Sequence, residues 1–539
     1  MKRLFYLFMV FSCMLAGCNK SSNHLDDPDN PDDPDNPDYP TNVTLDIETK
    51  RYTIPQEGQQ LGVKLETDME YNVMIPDSVS SWVRLIETRA VRTDSLIFQI
   101  SANTDTQDRS AQIVIKDKKS RLSDTLHFIQ YGKGITYVGD VVLETEQDLI
   151  DFFEAGYTKV QGSVTIQGEK LEALQQLGNR LTEITDSLIL NCSSLTSLEG
   201  LSGLKKIEGC LYVYQGKMSS FKGLENLESI GKSFRLYSGS ESFKASSSFE
   251  SFNTLSSFKG LGSLKSILGT FCLESHNDTS SFNALESFEG LENLETIGGF
   301  RLQSLSSSSF EALSSFKGLG SLKNIGKGGF ELWPLKDNTT AFNALESFEG
   351  LENLEVIEGN FGLYNPSRGG NYFNALSSFK GLGSLKSIGG FLTWGYLGSS
   401  SSFNALKSFE GLENLETIGW NFTLTSFPAL SSFKGLGSLK SVKSLQVYDC
   451  PISSFKGLDN LKTIDEAFYI GSLKVLESLE GLENLQSIGY VAIRECPLLF
   501  DFCSLKNAIQ NMTGTRFEIE GNGYNPTKEM ILNGQCSEN

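Results

Sequence analysis

Residues 378–391 read SFKGLGSLKSIGGF, and residues 408–422 repeat the phrase as SFEGLENLETIGWNF. The apolar letters and the Gly-Leu pair persist, while Lys380 and Lys386 give way to Glu410 and Glu416. Outward from this stretch the framed Gly-Leu pair recurs at eleven positions, Gly200, Gly223, Gly260, Gly290, Gly318, Gly350, Gly381, Gly411, Gly435, Gly457 and Gly481, in steps of 22 to 37 residues. Each copy sits in a frame of apolar-x-Gly-Leu-x-x-Leu-x-x-Ile, followed by a short β-like run such as FRL, FEL or FTL. One unit cannot bury its Phe, two Leu and Ile alone. Stacked units set each apolar letter over its copy, so the frame predicts a parallel β solenoid. Phe221, Phe258, Phe288, Phe316, Phe348, Phe379, Phe409, Phe433 and Phe455 are then expected as one inner spine. Step length varies after the strand, where serine-rich inserts such as SGSESFKASSSFESFN enter, and a coil tolerates insertion at one corner.

Stacking also accounts for the reversed signs. Equivalent positions of neighbouring coils lie about 5 Å apart, so an identical repeat would pile lysine on lysine. The residue before Gly-Leu instead runs Lys259, Glu289, Lys317, Glu349, Lys380, Glu410, Lys434, and a second column runs Lys265, Glu295, Lys323, Glu355, Lys386, Glu416, Lys440. Each exposed pair contributes only a few tenths of a kcal/mol, but a like-charge column costs a similar amount per step and weakens register. The unit of duplication is therefore two coils, and these charges are read as structural. The order breaks at Lys434 and Lys456, both positive.

The repeat frame resembles leucine-rich repeats, and more closely the receptor L-domain variety, over roughly residues 140–510. It departs from them in its Phe and Gly-Leu positions and in mostly lacking the asparagine ladder. Cys192, Cys450 and Cys496 each follow a strand at a comparable site and are expected as buried thiols. At the near end, Thr145 and Asp148 predict a capped helix through Phe153. At the far end, SLKNAIQNM, FEIE and the segment NGYNPTKEMILNGQC are expected as a lid, with the C-terminal cap at 511–539.

The N-terminal residues follow different rules. Residues 1–17 have a basic start, Lys2 and Arg3, and an apolar run too short to span a bilayer, as a secretion signal does. The tetrad Leu15-Ala16-Gly17-Cys18 resembles the lipobox of bacterial lipoproteins, which implies cleavage before Cys18 and acylation of that residue. Residues 18–42 are rich in Asp and Pro, which resist regular hydrogen bonding and repel one another, so an extended acidic tether is expected. Acidic residues soon after such a cysteine resemble surface-export signals of Bacteroidetes lipoproteins, which implies an outer-membrane anchor and exposure on the cell surface.

Residues 43–134 carry eight short alternating runs, VTLDI, YTI, LGVKL, YNVMI, WVRLI, SLIFQI, AQIVI and TLHFIQ, as in an antiparallel β-sandwich. Trp82, Ser101-Ala102-Asn103, Arg109 and Phe128-Ile129-Gln130 together resemble the BACON domain, an immunoglobulin-like module for which carbohydrate binding was proposed. Trp82 is read either as a sugar-stacking ring or as core, and a lone tryptophan in a sandwich belongs more often to the core. The fold expected for the whole chain is mainly β: an immunoglobulin-like β-sandwich followed by a leucine-rich-repeat-like parallel β solenoid of the receptor L-domain type.

Charge and composition narrow the function. Net charge is −20 over 539 residues, seven of the acids falling between Asp26 and Asp38, and this argues against nucleic acid. Three histidines, His24, His127 and His276, scatter over tether, sandwich and insert, and no HExxH, GxSxG or phosphate-binding loop is present. No metal, cofactor or enzymatic role is expected. Seven cysteines other than Cys18 remain after the leader, an odd number, and Cys503 with Cys536 bracket the C-terminal lid as a candidate disulfide. If strands alternate, Phe300 and Leu302 point in while Arg301 and Gln303 point out. The second outward position, followed coil by coil, collects Tyr214, Tyr237, Trp333, Tyr364, Trp394 and Tyr448. These six form the candidate ligand face, the alternative being that they stack on one another or lie under the serine-rich inserts as a second small core. The expected role is a surface binding protein, its partner a protein or glycan on host or matrix.

Overall fold

The computed structural model describes residues 45–67, 70–86, 95–118, 122–177, 180–238, 252–275, 281–304, 309–334, 340–364, 372–392 and 402–538. Residues 1–44, with the expected leader and tether and Cys18, lie outside them. The chain divides into two compact units, the division falling between Lys133 and Gly134.

The first unit has eight strands, one for each apolar run, in two four-stranded sheets. Leu45–Ile47, Gln59–Thr67, Ser95–Ile100 and Val83–Leu85 form one, and Arg51–Ile54, Ser123–Gln130, Arg109–Asp117 and Tyr71–Met74 the other. Their inner faces share one core, in which Phe98 and Phe128 meet edge to face at 5.2 Å. One pairing departs from the expected antiparallel order: Arg51–Ile54 runs parallel to Ser123–Gln130, with Tyr52 opposite Phe128.

The second unit is built on a 21-stranded sheet whose pairings are all parallel. It consists of two ladders, and each coil supplies one rung to each. The first ladder carries a short inward Ile or Val, from Val160 and Ile184 through Ile388 and Ile418 to Ile488. The second carries two inward residues per rung, for example Phe300 and Leu302 over Phe330 and Leu332. In most coils from Ser266–Ser275 onward the two rungs merge into one strand with a register shift between them. Fifteen rungs of the second ladder, from Val141–Leu143 to Phe517–Glu520, span roughly 65 Å at the usual strand spacing.

The every-third-residue apolar frame has a simple cause. Leu382 N–H donates to Phe379 O at 3.0 Å and Leu385 N–H to Leu382 O at 3.0 Å, so two successive three-residue turns return Phe379, Leu382, Leu385 and then Ile388 to the interior. The glycine inside the first turn is needed twice over. Gly381 has φ +102°, and a Cβ there would sit 2.0 Å from Phe348 O of the preceding coil. Between coils, Phe348 N–H donates to Lys380 O and Phe379 N–H to Glu410 O, both at 2.8 Å, which sets Glu349, Lys380 and Glu410 in one column.

Most members of both charge columns are paired. Lys259 meets Glu289 at 3.1 Å, Lys317 meets Glu349 at 3.5 Å and Lys434 meets Glu410 at 3.0 Å. In the second column Lys386 meets Glu355 and Lys440 meets Glu416, each at 2.6 Å. At the break, Lys434 turns back to Glu410 and Lys456 turns forward to Glu480 at 2.8 Å, so the like charges pair away from one another.

The core differs from the expected single spine. Three phenylalanine columns run through it. The expected one stacks from Phe221 to Phe455 at 5.2–5.9 Å. A second rises through the strands as Phe234, Phe271, Phe300, Phe330, Phe361, Phe391 and Phe422. The third is Phe252, Phe282, Phe310, Phe342, Phe373 and Phe403, stacked at 5.1–5.4 Å with φ of +56° to +60°. These last belong to SFNAL-type phrases that read as the tail of the inserts, yet they close the coil.

Asparagines also bridge coils, though away from the leucine-rich-repeat position. Asn293, Asn353, Asn414 and Asn460 donate to the carbonyls of Gly262, Gly320, Gly383 and Gly437, all at 2.6 Å. The near end is covered by helix Glu146–Glu154, whose Thr145 and Asp148 form a full capping box. At the far end Phe517–Glu520 pairs in parallel with Ser487–Arg494, so it is the last rung of the sheet rather than part of a separate lid.

Candidate functional site

The outward positions of the second ladder form two columns. The outer of these is the one chosen from sequence: Tyr214 opposes Tyr237, then Glu274, Gln303 and Trp333 follow in register. Further on, Thr425, Tyr448, Gly471 and Arg494 continue it. Trp394 lies outside the described residues.

The rings do not stand singly. Tyr214 and Tyr237 stack at 5.1 Å, and Trp333 and Tyr364 at 4.2 Å. Tyr237 is only 5% exposed and Tyr364 6%, so half of each pair is buried against the other. Trp333 and Tyr214 are half-buried. Tyr364 also lies over Gly362, whose Cβ would meet its ring at 2.5 Å, and Tyr448 lies over Gly471 with ring carbons 2.9 Å from the equivalent point. The face is thus a sequence of small aromatic platforms seated on glycine or on a neighbouring ring.

The adjacent column was not singled out from sequence and holds most of the charge. It runs Tyr212, Arg235, Cys272, Arg301, Glu331 and Gly362. Arg301 grips Glu331 through Nε at 2.8 Å and Nη2 at 2.6 Å, and the Tyr364 hydroxyl donates to the other Glu331 oxygen at 3.2 Å. Glu331 is 8% exposed, and the fork and the phenol together take the place of water around its carboxylate. Burial and the Glu331 charge push the Tyr364 phenol up from its ordinary value. Cys272 is driven up to about 12 by burial and is an inert thiol. Tyr212 is raised to about 12, first by its hydrogen bond with Cys210 and then by burial.

At the C-terminal end the same face carries a second cluster. Arg516 lies 5.3 Å from the Tyr469 ring and hydrogen-bonds its hydroxyl, while Glu518 takes both Arg516 and Arg494 and is held down to about 2, chiefly by the Arg516 bond. Trp420, 59% exposed, lies under Lys443 at 4.4 Å. Its sequence position, in the register shift between two ladders, falls off the alternation that chose the other aromatics.

The remaining candidates are structural in position. Trp82 is buried beneath the Arg109 guanidinium at 4.3 Å, and Arg109 donates to Ser101 O, Ala102 O and Gln130 Oε1 at 2.9, 3.0 and 2.9 Å. Trp82, Ser101, Ala102, Arg109 and Gln130 therefore form one knot, and Trp82, 7% exposed, presents no open face. Cys503 and Cys536 are joined in a disulfide, with Cα atoms 4.9 Å apart. Cys192, Cys450 and Cys496 are buried and reduced, with burial raising Cys192 to about 11 and Cys450 to about 12. Among the described residues one His/Cys/Asp/Glu group is close enough to hold a metal, Asp501 with Cys503 and Cys536, and its two sulfurs are already bonded to each other.

No protein-family model and no curated protein matches this chain. Among solved structures, a Bacteroides ovatus GH5 xyloglucanase in complex with a XXXG heptasaccharide shows a slight likeness, with 7% identity and a TM-score of 0.16. The match covers 32% of this chain and 46% of that one, so the chain spans less than half of that enzyme's length.

Proposed function

We propose that this is a lipid-anchored, non-enzymatic binding protein of the outer-membrane surface. In this reading Cys18 carries the lipid, an acidic tether and a BACON-like, immunoglobulin-like sandwich lead to the repeats, and a leucine-rich, receptor L-domain-like solenoid supplies the recognition surface for adhesion or protein interaction. One observation carries it: the outward face of the second ladder is continuous over many coils, with polar, charged and aromatic side chains held in register every strand spacing. A surface of that shape suits an extended partner better than a small substrate in a closed cleft.

A second reading, glycan capture for a polysaccharide-uptake system, is favoured by aromatic platforms set beside hydrogen-bonding Gln303 and Gln446. Immobilised mature protein, tested against purified matrix and mucin proteins and a glycan panel, separates the two. Retention of a defined protein with no glycan signal supports adhesion. Glycan binding that falls at least tenfold in Trp333→Ala supports capture, and binding of neither class would overturn both. The lipid anchor is tested separately: metabolic labelling with a fatty acid should mark the wild type and miss Cys18→Ser.

A further inference from the structure

The two three-residue turns of each coil build a face distinct from the outward aromatic column. Across it each coil shows three positions in lateral order: the first charge column, the residue two beyond the Gly-Leu glycine, and the second charge column. In the lysine coils the middle position is Gly262, Gly320, Gly383 or Gly437, where a Cβ would meet nothing within 4 Å. In the glutamate coils it is Glu292, Glu352 or Glu413, each exposed and accepting through one oxygen from the N–H of Gly290, Gly350 or Gly411 at 2.7–2.8 Å. These three glutamates meet no lysine or arginine among the described residues. The face is therefore corrugated, a ridge of glutamates alternating with a notch floored by glycine and flanked by lysines. The notch at Gly320 has a volume of about 340 Å³ and lies between Glu292 and Glu352, beside Lys317. The paired side chains of the two charge columns still keep 42–75% of their exposure.

Ridge and notch repeat every two coils, roughly 10 Å, over the seven coils from Lys259 to Lys434. A partner that fits them all must carry the same spacing with the opposite pattern, and this face displaced by one coil does so. We propose that the striped face binds the same face of a second copy of this chain, antiparallel, ridge into notch. A two-fold axis crossing the face between the coils of Lys317 and Glu349 reverses the order of coils and keeps the lateral order. Lys317 then opposes the second copy's Glu349, Gly320 its Glu352 and Lys323 its Glu355, while Gly262 and Gly383 receive Glu413 and Glu292. The axis one coil on, between Glu349 and Lys380, gives the same match. Each charge keeps its partner within the chain and gains an opposite one across the contact. The six matched coils form a strip roughly 29 Å long. A strip this narrow falls short of the roughly 800 Å² per partner of a stable pair, so the contact is weak singly and gains from the many copies of an anchored surface. The antiparallel order points the N-terminal ends of the two repeat units in opposite directions, as copies on two facing membranes would be.

This inference rests on the adhesion reading and names its partner as a second copy. The mature chain carrying Cys18→Ser is followed by sedimentation up to about 100 µM, at about 0.1 M and about 1 M NaCl. At the lower salt a Debye length of about 10 Å screens the two net charges of −20 from each other and leaves the close pairs across the contact. Wild type should pair there and part at the higher salt. Gly262→Glu, Gly320→Glu, Gly383→Glu and Gly437→Glu together set glutamate against glutamate and should weaken pairing at least about tenfold. Glu292→Lys, Glu352→Lys and Glu413→Lys together should do the same, and an equal mixture of the two variants should pair again, with thermal unfolding as the check on folding. Wild type that stays monomeric at the lower salt, pairing that strengthens at the higher salt, pairing that survives the glycine substitutions, or a mixture that stays unpaired overturns the proposal. Monomeric wild type that still retains a matrix or mucin protein sinks this inference and leaves the adhesion reading standing.

Discussion

Replacing Gly381 by alanine tests the coil-on-coil contact at its tightest point. The residue has φ +102°, where a side chain costs about 1–2 kcal/mol. The new Cβ would lie 2.0 Å from Phe348 O and 2.3 Å from Phe348 C, backbone atoms that cannot swing aside, so the coils must part. Parting weakens the 2.8 Å bond from Phe348 N–H to Lys380 O, about 1 kcal/mol, and the Phe348–Phe379 stack at 5.7 Å, about 0.5–1.5 kcal/mol. The expected total is about 2.5–4.5 kcal/mol, among the larger effects of a single substitution. Gly383, two residues on, is the matched control: it is exposed, and a Cβ there meets nothing within 4 Å. Gly383→Ala should stay within about 0.5 kcal/mol of wild type. Because a solenoid opens piecewise, the measurement is native-state hydrogen exchange of amides in the coils around residues 348–410, alongside thermal unfolding. Equal, small effects of the two substitutions would refute the reasoning, since the same stacking then could not hold Phe348 beneath Gly381.

Deleting residues 350–380 removes one coil and sets Glu349 beside Glu410 and Lys323 beside Lys386, whereas deleting 318–380 removes two and restores both alternations. The first variant should be less stable than the second by about 0.5–1.5 kcal/mol in low salt, and the gap should close at 1 M NaCl, as followed by thermal unfolding. Reduction of Cys503–Cys536, a separation of 33, should lower the stability of the C-terminal end by about 3–4 kcal/mol, read as faster exchange in 503–536 with the coils before 441 unchanged. Glu518 is lowered from 4.5 to about 2, so its contribution is present above the ordinary carboxylate range and lost as pH falls from about 4.5 toward 2. Exchange protection of Phe517–Glu520 should fall across that window in wild type, and Glu518→Gln should flatten the response.

What could be read in advance was whatever repeats by letter. The stacking, the Phe221–Phe455 spine, the paired charges and the Thr145 cap all follow from local spacing and from the rule that copies face copies. What could not be read depends on partners distant in sequence. No turn signal marks Phe252 or Phe373 as left-handed, because glycine or asparagine would be the usual choice there, and the strain is accepted for the stack it completes. The Asn293 and Asn414 bridges reach carbonyls 31 residues back. The parallel pairing of Arg51–Ile54 with Ser123–Gln130 is equally non-local, and the alternation argument that found Trp333 passed over Trp420 because Trp420 sits inside the register shift between the two ladders, where alternation is interrupted.

The left-handed phenylalanines bear on how the coils depend on one another. A residue at φ near +58° costs about 1–2 kcal/mol, and a lone coil has nothing to offset it. Each neighbour adds a ring at 5.1–5.4 Å, about 0.5–1.5 kcal/mol, so a coil flanked on both sides recovers the strain and one with a single neighbour only partly does. The same corner is where the serine-rich inserts join, between the outward aromatic column and the left-handed ring. Insert length therefore varies beside the recognition face, while the coil itself is closed by a ring that its neighbours hold in place. In coils from Ser426 onward the left-handed residue is Ser426, Asp449, Ser472 or Glu495, and Ser426 bonds Asp449 while Ser472 bonds Glu495. There polar coupling between adjacent coils takes the place of ring stacking, and these are the coils that carry no insert.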